Sequence, residues 1–225
     1  RRVYDLLRRM PDGGLPVAKQ LFSTELNYQH ADERLSCRGW PERAVDALSG
    51  PPIIVAKHES MFGDFDIIHA KVSSEWRGRT FPLSVTAERI VINQLLKDHP
   101  YALFLFSETE GRHWHLVNVR YDEEERPRKV FCRIALGPQE RVRTASERIA
   151  MLDLDNFDRD LFGIAPLAIQ HRHDQAFDVE AVTRSFFTDY RRLFEGTEAK
   201  IEGLEGENLR LFTQRLFNRL LFITF

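Results

Sequence analysis

The sequence predicts an α+β protein: a small mixed β-sheet flanked by helices, followed by an all-helical segment. Three observations carry this expectation. Apolar residues before Gly50 recur at helical spacing. Between Ile53 and Leu136 the pattern changes to short β-branched or alternating runs, interrupted by one helical stretch. From Pro166 onward the helical spacing returns and holds to the last residue.

The elements follow in order. Val3 to Met10 reads as a short helix closed by the turn cluster Pro11-Asp12-Gly13-Gly14. A second helix spans Pro16 to Leu26, with proline in its first turn. Residues 27–39 are polar and read as irregular, and Pro41 to Leu48 forms a third helix before the breaker Ser49-Gly50-Pro51-Pro52. Ile53 to Ala56 and Phe65 to Val72 are strands, joined through an Arg- and Trp-bearing loop at 73–82 to a helix over 84–98. Tyr101 to Phe106 is apolar on both faces, the pattern of a central strand. His113 to Tyr121 and Val130 to Leu136 complete the sheet around a charged hairpin tip, DEEERPRK. Thr144-Ala145-Ser146-Glu147 matches a capping box and opens a helix to about Leu154. The division expected is an α+β domain over 1–154 and a helical connector over 155–225.

The last stretch, NLRLFTQRLFNRLLFITF, shapes the functional question. Leu209, Phe212, Leu216 and Leu220 form one apolar stripe, and beyond Leu220 the polar face disappears. A helix apolar all round is buried on every side. The expectation is a longer protein, in which a further part covers Phe217 to Phe225.

Charge and cysteine content narrow the class. A net charge of −2 exerts no global pull on nucleic acid or membrane, although 32 basic residues leave room for a local patch. Two cysteines, Cys37 and Cys132, are too few for a disulfide framework or a zinc motif. A reduced, cytoplasmic setting is expected, and no apolar run approaches a membrane span.

Three constellations bear on chemistry. The order helix, strand, strand, loop, helix, strand over 41–106 is close to the core of restriction-endonuclease-like nucleases. Such a site needs two carboxylates on Mg²⁺ and a lysine beside the attacking water. Glu59, Asp66 and Lys71 are the candidates, with Asp64 nearby; His69 stands where a carboxylate belongs, so the pattern is degenerate and favours a sheet that does not cleave. The pair His113 and His115 has metal-like spacing on one strand face but no further ligand in register, and His171 and His173 diverge on a helix. Arg133, Arg141, Arg143 and Arg148 surround the capped helix start, and Arg77 and Arg79 precede the other main helix; they read equally as candidate phosphate contacts or as a solvated face pairing with Glu140 and Glu147. A glycine-rich phosphate loop, a nucleophile elbow and an H-E-x-x-H motif are all missing from the sequence.

Five blocks add a resemblance. WPERAVDAL, HPYALFLFSETEGRHWHLVNVRY, RIALGPQERVRTASERIAMLDLD, HRHDQAFDVEAVTRSFFTDYRRLFE and NLRLFTQRLFNRLLF resemble, in this order, the amino-terminal region of large bacterial adenine-specific DNA methyltransferases. These belong to type IIG restriction–modification and related phage-defence systems. The resemblance implies a following methyltransferase domain that binds S-adenosylmethionine and holds a flipped adenine at an (N/D)PP(Y/F) motif. Neither that motif nor a cofactor loop is in this sequence, so no catalytic, cofactor or metal residue is carried over. The expected partners are DNA, the methyltransferase domain and other defence-system subunits. Two alternatives stand beside this reading: a protein-interaction module that docks another subunit, and a Mg²⁺-dependent endonuclease using Glu59, Asp66 and Lys71.

Overall fold

The computed structural model describes residues 1–73, 75–76, 79–80, 83–122, 128–157, 163–201 and 203–224. The chain opens with α1 (Arg2–Gln20), which continues into a single π turn at Leu21–Glu25. The two helices expected here are joined end to end, and only Gly14 (φ 58°, ψ −144°) leaves the helical region. β1 (Gln29–Arg34) lies in the polar stretch 27–39, where the sequence predicts irregular structure. It is an edge strand with only Ala31 buried, so its residues carry no apolar alternation. After the short α2 (Glu42–Val45) come β2 (Ile53–Ser60) and β3 (Gly63–Lys71), then a two-stranded ribbon of β4 (Glu75–Trp76) and β5 (Arg79–Thr80). α3 (Val85–Leu95) is capped by the Ser84 side chain, which accepts from the amide of Ala87. β6 (Ala102–Ser107), β7 (Trp114–Asp122) and β8 (Arg128–Leu136) follow, then α4 (Val142–Ala150) and α5 (Pro166–Phe177).

Six strands form one mixed sheet in the order β1-β2-β3-β6-β7-β8. All neighbours are antiparallel except β3 and β6, which are parallel, with Asp66 opposite Ala102 and Lys71 opposite Ser107. A parallel pair needs a crossover, and the segment holding α3 supplies it.

Helices cover both faces. On one, Phe65, Ile67, Leu103, Leu105 and Leu116 pack with residues of α1, α4 and α5. On the other, Ile68, Ala70, Phe104, Phe106 and Val117 pack with Val91 and Ile92 of α3. This explains why β6 is buried at every position and reads as a continuous apolar run.

The chain forms two compact units, Arg1–Phe177 and Asp178–Phe225. α5 belongs to the first unit because Ile169, His173, Ala176 and Phe177 join the sheet core. The second unit, 178–225, holds α6 (Val179–Glu198) and α7 (Gly206–Thr224). Phe217 of α7 packs edge-on against Tyr190 at 5.3 Å and against Phe194 at 5.4 Å. Phe217 therefore has partners within its own hairpin; Phe187, Leu193, Phe212 and Leu220 are each largely exposed. The Leu221–Thr224 side chains and Phe225 lie outside what is described. Among the described residues no helix is long and apolar enough to cross a membrane.

Candidate nucleic-acid interface

The three nuclease candidates do not meet. β3 runs from Gly63 to Lys71, so Asp66 and Lys71 are separated by about 17 Å along one strand. They also point to opposite faces, because an odd separation reverses the side chain. Asp66 is 6% exposed and its Oδ2 lies 2.7 Å from Nδ1 of His99. Glu59 pairs with Lys57 at 2.6 Å, and Lys57 also donates to Glu33 at 2.8 Å. Hydrogen bonds to Glu33 and then Glu59 raise the Lys57 pKa and hold it charged. Lys71 is exposed at the far end, next to His69 on its own face.

His69, the departure from the nuclease pattern, is a core residue. Its Nε2 lies 2.9 Å from Ser107 Oγ and its ring stacks on Trp114 at 5.1 Å. Burial, assisted by the charges of Lys71 and Lys19, lowers its pKa to about 4, so the ring is neutral at pH 7. Among the described residues no group of three or more His, Cys, Asp or Glu side chains is placed to hold a metal ion. His113 and His115 serve separate carboxylates, Glu108 at 3.0 Å and Glu88 at 2.5 Å.

The candidate arginines divide by partner. Arg133 donates through Nε and Nη2 to Oε2 of Glu88, a carboxylate with no exposed surface. Arg148 donates to the carbonyl of Ala176 and lies over the Phe177 ring at 5.7 Å. Both serve the core. Arg77 lies outside the described residues, as does the side chain of Arg79. Arg141 and Arg143 remain at the surface, at the start of α4.

That start differs from the expected capping box. The helix begins at Val142, two residues before Thr144, so Thr144 sits inside it and cannot cap. Arg141 occupies the cap position (φ −82°, ψ 107°) and makes no side-chain cap hydrogen bond. Glu147, the other half of the box, lies 3.6 Å from Arg143 one turn earlier. Among the described residues the first amide groups of α4 thus have no side-chain acceptor, and they present the positive end of the helix dipole. A groove of about 470 Å³ opens there, lined by Tyr4, Arg8, Asp12, Glu140, Arg141 and Arg143 among others. Among the described residues neither Arg8 nor Arg141 has an ion-pair partner. Arg8 and Tyr4 come from α1, more than 130 residues away in sequence. The polar side of the first amphipathic helix, with its Arg8-Arg9 pair, was their only sequence signal.

Comparison with protein-family models, curated proteins and solved structures finds no match.

Proposed function

We propose that this chain is the front region of an adenine-specific (N-6) DNA methyltransferase of a restriction–modification or phage-defence system, and that it contributes DNA contact. The resemblance assigns S-adenosylmethionine and methyl transfer to a further domain. The observation that carries the DNA-contact reading is the groove at the start of α4, which Arg8, Arg141 and Arg143 line beside a helix end without a side-chain cap. The three guanidinium groups line the groove with the carboxylates of Asp12 and Glu140, and Arg143 also pairs with Glu147 at 3.6 Å. Phosphate oxygens satisfy both the amides and the arginines. The parallel β3–β6 pair with its helical crossover supports the nuclease-like version of the fold. The separation of Asp66 from Lys71 supports a non-cleaving one.

Duplex DNA binding measured by fluorescence anisotropy across a salt series tests this. Log Kobs against log salt is expected to be linear, and Arg141→Ala with Arg143→Ala is expected to reduce the slope by roughly one per lost phosphate contact. An unchanged slope would transfer the assignment to the second reading, a module that docks another protein subunit. The exposed Phe187, Leu193, Phe212 and Leu220 of the α6–α7 hairpin favour that second reading.

A further inference from the structure

Under α5 the sheet carries polar side chains where packing alone calls for apolar ones. Asn118 of β7 is 0% exposed and Gln170 of α5 is 8% exposed. Asn118 Nδ2 donates to Asp174 Oδ1 at 2.7 Å. Gln170 Nε2 is shared among Asn118 Oδ1 at 2.9 Å, Asp174 Oδ1 at 3.0 Å and the carbonyl of Val119 at 3.3 Å. The amide N–H groups of both side chains are thus directed inward. Two acceptors are left over, Gln170 Oε1 and Asp174 Oδ2, which have no partner among the described residues and are not closed off from solvent. Both residues line an open pocket of about 340 Å³, together with Tyr101, Tyr121, Leu167 and Arg120.

We propose that this pocket binds a heterocyclic base bearing an exocyclic amino group, with guanine the best fit. The unspent atoms accept hydrogen bonds, so the ligand must present N–H donors. The amide and the carboxylate sit one helical turn apart on α5, bridged by a hydrogen bond. Two neighbouring acceptors suit a ring edge with adjacent donors, and guanine offers an imino and an amino group side by side. The tyrosine rings and Leu167 supply flat and apolar surface for the ring faces. A guanidinium from a partner protein has donors too, but a cation held here has one carboxylate among the lining side chains, whereas a neutral base needs only the two acceptors. The pocket is independent of the α4 groove. β7 begins opposite the end of β8 that leads to Gly137, whereas the pocket lies at the other end of β7, about 20 Å along the strand.

The experiment titrates guanosine, inosine, uridine and a blocked arginine amide separately into the intact 225-residue chain, followed by ligand-observed NMR. Guanosine is expected to bind at least tenfold more tightly than inosine, which lacks the amino group, and than uridine. Asp174→Asn keeps an oxygen for the inward bonds but turns a donor towards the pocket, and is expected to lose guanosine binding tenfold or more at unchanged Tm. Tyr121→Ala, at the exposed rim, should weaken all three nucleosides alike. A guanine-containing single strand that binds more tightly than guanosine identifies a base within a strand as the occupant. Equal affinity identifies a free nucleoside, and either result upholds the pocket. Equal guanosine and inosine affinities, an Asp174→Asn protein that retains binding, or preference for the arginine amide overturns it. Should Asp174→Asn not fold, the guanosine-to-inosine ratio on the unaltered chain decides.

Discussion

The Tyr28 hydroxyl lies 3.0 Å from Nε2 of His173 and 3.2 Å from the carbonyl of Leu152, joining three segments in one buried contact. The hydroxyl has a single proton, and the carbonyl can only accept, so the proton goes to Leu152. His173 must then donate from Nε2, which leaves Nδ1 bare and without a partner in the core. A bare nitrogen there costs less than an orphaned N–H, but it forbids a second proton. Burial alone lowers the His173 pKa to about 3, and burial together with the charge of Asp153 keeps the Tyr28 hydroxyl protonated.

Stability is therefore expected to fall as the pH drops below neutrality. His173 and His69 have folded pKa values of about 3 and about 4, both below the ordinary histidine value of 6.5. Between those values and 6.5 the unfolded chain binds the protons that the folded chain refuses. The contribution is full above pH 6.5 and is lost on acidification, by up to about 1.4 kcal/mol per pH unit for each ring. Urea unfolding at pH 7, 6 and 5 measures it, and His69→Gln should reduce the slope. Equal stability at pH 7 and pH 5 would show that the rings are protonated in the fold.

Removing Glu88 should be among the most damaging polar changes. Its carboxylate is fully buried and holds both His115 and Arg133. Glu88→Ala leaves two partly buried bases facing each other and is expected to cost about 3–5 kcal/mol in urea denaturation. The companion change Arg133→Met should recover part of that loss. Arg143→Ala, at an exposed pair, should stay within about 0.5 kcal/mol of the parent.

Gly14→Ala tests the junction within α1. A Cβ there meets nothing within 4 Å, so any loss comes from the backbone alone. The φ of 58° with ψ of −144° is almost confined to glycine, and the substitution should cost about 1–3 kcal/mol. A neutral result in thermal unfolding would mean that the two halves of α1 can realign.

In the α6–α7 hairpin, two kinds of aromatic residue should respond differently. Phe217→Asp removes the ring held between Tyr190 and Phe194 and should loosen the hairpin, seen as lost helical ellipticity. Phe212→Asp changes a residue that is 49% exposed and should keep the helix while lowering self-association in analytical ultracentrifugation. Self-association unaltered by Phe212→Asp and Leu220→Asp together would remove the apolar face as its cause.

The sequence made the interior of the sheet legible and left its borders obscure. Central strands announce themselves because both faces are covered, as in 102–107. The edge strand at 29–34 escaped because one buried alanine makes no period. The capping box at Thr144 misled because four matching residue types do not fix where a helix starts; Val142 enters the core two residues earlier and sets the register. Arg141 and Arg143 could be picked out from their neighbours, but Arg8 and Tyr4 reach the same groove only through the docking of α1 beside α4. Arg133 and Arg148 look no different from them in sequence, and only packing reveals their buried acceptors.

The parallel seam between β3 and β6 has a consequence for how the chain folds. The β2–β3 hairpin closes over a tight turn at 61–62, and such local pairs form within microseconds. The seam cannot, because Asp66 meets Ala102 only after the intervening stretch with α3 has folded back. Its loop-closure entropy is spent before any seam contact is gained. The seam is then the slow step. Substitutions such as Ile68→Val or Leu103→Ala are expected to retard refolding, whereas changes at the β1 edge act mainly on the unfolding rate.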